Sequence, residues 1–351
     1  MPAPAPRLLV ATSSDEAVGP ALDAQLPGVP WRLLAQTPAD QRAEVEALLV
    51  GARRMFAEFD PASTPRLQFV QKIFTGVDDF PFERFPPSVR VAGNVGAFAP
   101  YVAEHAVALA LAAAREIVRS QTMVRAGQLR PAPEHRLFEG ASAVILGYGE
   151  IGRAIAQRLA GFDVRVYGLN RTGRMAPECV GMYPASRLAE ALASADLVFD
   201  ARPLTRRTRG TIDRAALAAM RPRAIYVNVG RAATADEEAL YLHLKEHPEF
   251  RAAIDPWWEE DFVHSTFRTR FPFPELPNFV ATPHSAGYAT GSTDRAIRFA
   301  VRGLAEFFAT GTVARAVDRS DYVDEPSSPG PEGTSGGTPP PTGPAPGSGP
   351  H

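Results

Sequence analysis

Three short stretches carry side chains suited to anion binding and proton transfer: "VNVGRA" at 227–232, "AIDPWWEED" at 253–261 and "TPHSAG" at 282–287. They supply Arg231, a group of acids (Asp255, Glu259, Glu260 and Asp261) and His284. A guanidinium holds a carboxylate or polarises a carbonyl, an imidazole delivers a proton, and a neighbouring acid keeps that imidazole charged. Reduction of a 2-oxo acid needs this set. Taken singly, the residues also have plainer readings, Arg231 as a surface charge and His284 as a capping or core residue.

A fourth stretch, "SAVILGYGEIGRAIAQRLAGFDVRVYG" at 142–168, reads as strand, glycine turn, helix and second strand. In such a unit Gly147 permits the tight turn, Gly149 lets a pyrophosphate approach the backbone, and Gly152 lets helix and strand pack closely. Glu150 and Ile151 lie in the same turn, at a helix N-terminus that faces phosphate charge. The second strand ends at Asn170, where a carboxylate would bind a ribose 2′-hydroxyl. Arg171 and Thr172 follow, with Arg174 nearby. A neutral Asn does not repel a 2′-phosphate, and the arginine fork matches phosphate oxygens. The cofactor expected is therefore NADP(H); with NAD(H) these arginines would form only a solvated loop.

Parallel strands must position these groups. Apolar runs predict strands at 142–147, 163–168, 197–201, 224–229, 252–256 and 279–283, with helices near 150–160, 185–194, 213–219 and 235–246. The three chemical stretches then fall at the carboxyl ends of strands, where ligands sit in open sheets. Upstream, strands at 7–12, 31–35, 53–59, 67–73 and 89–93 with a helix near 39–50 predict another α/β layer. A long helix over 100–127 opens at Pro100, and a last helix spans 291–311. The fold expected is α/β. A Rossmann-type, doubly wound parallel sheet over 101–287 is inserted into a smaller, flavodoxin-like substrate domain made of 1–100 and 288–320. Residues 321–351 are rich in Pro, Gly, Ser and Thr and are expected to be a disordered tail.

At 351 residues the chain has room for about two domains. A net charge of −2 gives no reason to expect a nucleic-acid or membrane partner. The single cysteine, Cys179, cannot form an internal disulfide and is expected to be a small buried side chain. The N-terminus lacks a cationic start followed by an apolar core. The apolar run 102–118 carries Glu104, His105, Arg115 and Glu116, which marks a packed helix. A cytoplasmic protein is expected.

With "TGVDDF", "YVAEHAVALALAAAR" and "PLTRRTRG" (203–210), these motifs resemble the D-2-hydroxyacid dehydrogenase family, over about residues 67 to 315. The resemblance implies that Arg231 binds the substrate carboxylate, His284 is the general acid/base and Glu260 its partner. The five-residue step from Asp255 selects Glu260 over Glu259 and Asp261. The resemblance also implies substrate contacts from Thr75 and Gly76, with Asn94 in the same cleft. On the cofactor side it implies Pro203, Thr208, Val229, Gly230, Ala286 and Asp255, the last near the nicotinamide amide. No metal is implied. The expected activity is NADPH-dependent reduction of glyoxylate or hydroxypyruvate by a homodimer. Alternatives are a dehydrogenase for phosphite or a phosphonate-bearing 2-oxo acid, and a dinucleotide-sensing regulator similar to the C-terminal-binding corepressors. Related formate dehydrogenases place glutamine where Glu260 stands, which argues against formate oxidation. Pro256, Trp257, Trp258 and the long "STFRTRFPFPELPN" depart from the common pattern. The tryptophans are expected to narrow the cleft or pack an interface. His105 is expected to be structural, and His135, His243, His247 and His264 to lie on the surface or in loops. "RPLTRRTRG" is expected to be a solvated loop near the adenine.

Overall fold

A computed structural model of the chain describes residues 4–12, 15–51, 59–129 and 135–323. Its first sheet is parallel and contains β1 (Leu8–Ala11), β2 (Trp31–Leu33), β3 (Ala47–Val50), β4 (Phe69–Lys72) and β5 (Arg90–Ala92), in the order β2-β1-β3-β4-β5. Helix α1 (Asp15–Gln25), absent from the sequence-based expectation, covers one face. The helix expected near 39–50 is instead a 3₁₀ turn at Ala39–Gln41 followed by β3. All four residues of β3 are buried between β1 and β4, and a short run apolar on both faces has no period to separate strand from helix. The strand expected at 53–59 lies, except for Phe59, outside the described residues.

The helix expected over 100–127 is two helices, α2 (Ala99–Ala114) and α3 (Ile117–Arg125), broken at Glu116 with φ +50°. Buried Arg251 explains the break. Its guanidinium donates to the Ala113 and Ala114 carbonyls at 2.8 and 2.9 Å and pairs with Glu116 at 2.6 Å. A cation thus satisfies the last carbonyls of α2, and the chain turns so that Glu116 can meet it.

The second sheet begins with β6 (Ser142–Leu146), α4 (Glu150–Leu159), β7 (Arg165–Asn170) and β8 (Gly181–Pro184). It continues through α5 (Leu188–Ala193), β9 (Leu197–Asp200), α6 (Arg214–Ala219), β10 (Ile225–Asn228), α7 (Glu237–Glu246) and β11 (Arg251–Ile254). A hairpin of β12 (Glu259–Asp261) and β13 (Thr266–Arg268) precedes β14 (Phe279–Ala281). The order β14-β11-β10-β9-β6-β7-β8 is parallel throughout and reverses direction between β9 and β6. This is the doubly wound arrangement expected, with a ligand crevice at the reversal. β8 and the β12–β13 hairpin were not expected from the sequence. Finally α8 (Ser292–Thr310) returns to the first sheet and packs on α1 and β4. Among the described residues, no helix is long and apolar enough to cross a membrane.

Candidate active site

The glycine turn after β6 is closed below and open above. Gly147 has φ +83°, and a Cβ there would lie 2.9 Å from the backbone nitrogen of Arg202. A Cβ on Gly152 would lie 2.9 Å from the Gly147 carbonyl, so helix and turn touch. Around Gly149 nothing lies within 4 Å of a Cβ position. Here α4 begins, with its unpaired N–H groups at the opening. These residues fit a dinucleotide pyrophosphate. Glu150 is exposed and faces Arg315 at 3.8 Å, while Ile151 packs on the core.

The loop 201–210 is only partly solvated, which corrects the sequence reading. Arg202 is buried, and its N, Nε and Nη2 donate to the fully buried Asp200 at 3.1, 2.9 and 2.6 Å. This pair forms the floor beneath Gly147 and Gly230, where a Cβ on Gly230 would meet the Arg202 carbonyl at 2.4 Å. Val229 and Gly230 are buried and donate their N–H groups to the Asp200 carbonyl. Pro203 is exposed at the loop's start, and its carbonyl accepts the Thr208 hydroxyl at 2.6 Å.

Asn170 shapes the next loop. Its Oδ1 accepts from the Thr172 and Gly173 N–H groups at 3.0 and 2.6 Å, and its Nδ2 donates to the Arg174 carbonyl at 3.0 Å. The short amide thus folds 170–174 upon itself and leaves Arg171 projecting outward. Thr172 is exposed beside it.

Arg231, His284 and the acids leave adjacent strand ends. β10 and β14 flank β11, so Arg231 and His284 each follow, by three residues, strand ends that lie two strand spacings, about 10 Å, apart. His284 occupies the left-handed region at φ +52°. A non-glycine residue is held there only when its surroundings fix it, and Asp255 does so. The Asp255 carbonyl accepts the His284 N–H at 2.9 Å, and its carboxylate accepts Ser285 N, Ala286 N and Thr282 Oγ1 at 2.8, 3.1 and 2.6 Å. His105 Nε2 lies 3.5 Å from the same carboxylate and 2.9 Å from Thr282 Oγ1, a structural placement as expected. Burial alone would raise the Asp255 pKa, but hydrogen bonds from His105, Thr282, Ser285 and Ala286 prevail and lower it. Asp255 and the Ala286 N–H thus hold the histidine turn, while Oδ2, which accepts only from Ala286, keeps a lone pair for a further donor.

Glu260 Oε1 lies 2.7 Å from His284 Nδ1 and also accepts the Trp257 N–H at 2.8 Å. Glu259 is exposed, and Asp261 is engaged with His264, so Glu260 alone of the three reaches the imidazole. With Nδ1 engaged, Nε2 remains for a substrate. Trp257 and Trp258 do not narrow the cleft. They are packed inward, stacked on Phe267 and Phe273 respectively. Phe262, at the hairpin tip, meets the His284 ring edge-on with centroids 5.3 Å apart.

Arg231 Nε donates to both Asp78 oxygens at 3.2 and 3.1 Å, and Nη1 donates to the Gly230 carbonyl at 2.8 Å. Nη2 lies against Gly76, where a Cβ would stand 1.8 Å from it. Only glycine lets the guanidinium come so close. Behind Asp78, Asp79 pairs with Lys72, whose pKa burial pushes down against the pull of both acids. Sequence reasoning missed Asp78, although the paired acids two residues beyond Gly76 were a usable signal. Thr75 Oγ1 donates to the Asn94 carbonyl at 3.3 Å. Asn94 is buried, and its Nδ2 donates to the Ile73 and Ala296 carbonyls at 2.8 and 2.7 Å, so the amide hydrogens are already engaged. His135 contacts Arg115. His243 is half-buried on α7 rather than in a loop, and it stacks on exposed His247.

Comparison with known proteins agrees with this geometry. Residues 107–286 match the model of the D-isomer specific 2-hydroxyacid dehydrogenase NAD-binding domain. A glyoxylate reductase of Pyrococcus furiosus is 30% identical over 254 residues, covering 70% of this chain and 74% of the relative. The crystal structure of a provisionally assigned formate dehydrogenase from Pyrobaculum aerophilum is 32% identical with a TM-score of 0.74, covering 90% of this chain and all (100%) of that one. A D-isomer specific 2-hydroxyacid dehydrogenase of Xanthobacter autotrophicus, crystallised with NADPH and MES, is 25% identical with a TM-score of 0.74, covering 91% and 100%.

Proposed function

Because the chain belongs to the D-isomer specific 2-hydroxyacid dehydrogenases and is an NAD(P)-dependent enzyme of that family, we propose that it reduces glyoxylate or hydroxypyruvate with NADPH. The observation that carries the reading is the Glu260–His284 contact at 2.7 Å, on the strand edge that also delivers Arg231. Arg231 and the N–H groups of Thr75 and Gly76 hold the substrate carboxylate. Glu260 fixes Nδ1 of His284, so that Nε2 donates a proton to the C2 oxygen. The bound nicotinamide supplies the hydride that reaches C2. The turn at Gly147, Gly149 and Gly152 holds the pyrophosphate, and Arg171 takes the 2′-phosphate.

A proton donor aligned by a carboxylate suits a reaction that makes an alcohol. Formate oxidation to carbon dioxide gives an imidazole no alkoxide to protonate, so that activity is set aside. Glyoxylate is reduced by the Pyrococcus furiosus relative, by its name, and NADPH is bound by the Xanthobacter autotrophicus one. Exposed Ile117, Val118 and Val124 on α3 suit a homodimer interface. The test is a panel of 2-oxo acids assayed with both reduced nicotinamides. Glyoxylate or hydroxypyruvate with NADPH should give the highest kcat/KM; a clear preference for NADH, or for a larger acid, would overturn the reading.

A further inference from the structure

Beyond α8 the chain returns along the first sheet, where the Val317 N–H donates to the Val91 carbonyl at 2.8 Å, and turns at Arg319–Asp321. Arg319 donates to the Phe82 and Phe85 carbonyls at 2.6 and 3.0 Å, and Tyr322 stacks on Phe82 with centroids 5.3 Å apart. From the other side, the Arg206 N–H donates to the Asp321 carbonyl at 2.9 Å. The segment is therefore a strap, anchored beside the first sheet and laid against the nucleotide edge of the second. Beneath it is a space of ≈ 340 Å³, lined by Asp78, Phe82, Leu204, Arg209, Asp321 and Tyr322 among others.

At the turn of the strap the Asp321 carboxylate stands between two arginines. Oδ1 lies 3.2 Å from Arg207 Nε, and Oδ2 lies 3.8 Å from Arg171 Nη1. The acid side chain is 15% exposed, the arginines 67% and 74%. Oδ1 is buried and accepts no hydrogen bond. Arg171 is one residue past the end of β7, the place where a dinucleotide fold brings the 2′-oxygen of the adenosine ribose. The acid missing from position 170 is thus supplied by Asp321, 150 residues beyond Arg171, and it bridges the cations that a phosphate would need.

We propose that Asp321 is a built-in stand-in for the 2′-phosphate. It occupies the anion site of Arg171 and Arg207 and must be exchanged for phosphate when NADP(H) binds. NAD(H), which lacks that phosphate, leaves the strap in place. One carboxylate against two guanidiniums leaves a net positive charge to draw the phosphate in, and a phosphate monoester of nearly two charges with three acceptor oxygens satisfies both cations better. Asp321 therefore sets the ratio of the two cofactors. The proposal rests on Arg171 as the 2′-phosphate contact.

The test is direct binding by calorimetry. Full-length wild type and Asp321→Asn are titrated with 2′,5′-ADP and with 5′-AMP, which differ only in the 2′-phosphate. Affinity of the variant for 2′,5′-ADP should rise roughly five- to tenfold while 5′-AMP binds the same or slightly more weakly. Unchanged or weaker 2′,5′-ADP binding by the variant overturns the proposal, since an acid with only a structural role has no competition to relieve. Hydrogen exchange on the wild type guards against a misfolded variant. Amides of 318–323 should exchange faster with 2′,5′-ADP than with 5′-AMP, and equal exchange counts against displacement. The two readings fail separately. If wild type binds both ligands alike and Asp321→Asn does not change that, the NADP(H) reading falls; if wild type prefers 2′,5′-ADP and the variant behaves identically, only the role of Asp321 falls.

Discussion

The two ends of the cleft hold their charges in opposite ways. At the substrate end each group is fixed at hydrogen-bonding distance: Glu260 to His284 at 2.7 Å, Arg231 to Asp78 at 3.1 and 3.2 Å, and the histidine turn to Asp255. At the adenosine end, Arg171 and Arg207 are mostly exposed, and one strap carboxylate reaches them at 3.8 and 3.2 Å. Proton transfer depends on geometry within a few tenths of an ångström, so its groups are packed and bonded before substrate arrives. Selecting between two nucleotides that differ by a phosphate depends on charge, which tolerates looser geometry and can be exchanged.

The largest effect should come from the rigid end. His284→Asn should lower kcat by about 10³-fold, within the range for loss of a general acid, while nucleotide affinity stays within about twofold. Parallel loss of nucleotide affinity would mean that the variant has disturbed the histidine turn and that the two ends are not separable. Next, Asp78→Asn releases one side of Arg231. An expected loss of about tenfold in kcat/KM for the 2-oxo acid, carried by KM, would mark Asp78 as a positioning residue. A fall in kcat with KM unchanged would point instead to a transition-state role.

At the loose end, Arg171→Ala should raise KM for NADPH by about tenfold and leave KM for NADH nearly unchanged. Raising ionic strength on the wild type should move the NADPH KM in the same direction, because exposed pairs are screened over about 10 Å. Insensitivity to salt would break the contrast between the ends.

Which parts were legible in the sequence follows the same division. Groups fixed close to strand ends, namely Gly147, Gly149, Gly152, Arg231, Glu260 and His284, could be found because a strand end and a short motif determine where such residues lie. Asp255 and Asn94 were found, but not their second task of bracing neighbouring segments. An acid after a strand looks alike in sequence whether or not it holds a neighbouring turn, and its bonding partners become visible only in the fold. The same is true of the Asn94 amide, which ties Ile73 to Ala296. Contacts between distant segments left no local trace: Asp78 under Arg231, Arg251 under α2, and Asp321 across from Arg171 join residues 135 to 153 positions apart. The strand β3 was hidden differently, by burial on both faces, which removes the alternation that marks a strand.

A pH profile offers the smallest but most discriminating effect, once one interfering group is removed. An acid-side loss of activity could be misread as titration at the catalytic pair, whereas His243, on α7 and away from both ends, also responds to acid. Burial, followed by the neighbouring His247, lowers its pKa from the ordinary 6.5 to about 4. Between those values the unfolded chain binds a proton that the folded chain refuses. The stabilising contribution is therefore complete above pH 6.5 and declines as pH falls towards 4. Because the side chain is only half-buried, the loss should be about 1 kcal/mol rather than the full value of the shift. His243→Gln should flatten thermal stability between pH 6.5 and 4 and leave kcat at neutral pH unchanged. If kcat/KM of that variant still falls over the same interval while its stability holds, the fall belongs to the substrate end. If the fall disappears with the imidazole, the acid limb reported unfolding, and the Glu260–His284 pair needs another measure of its protonation.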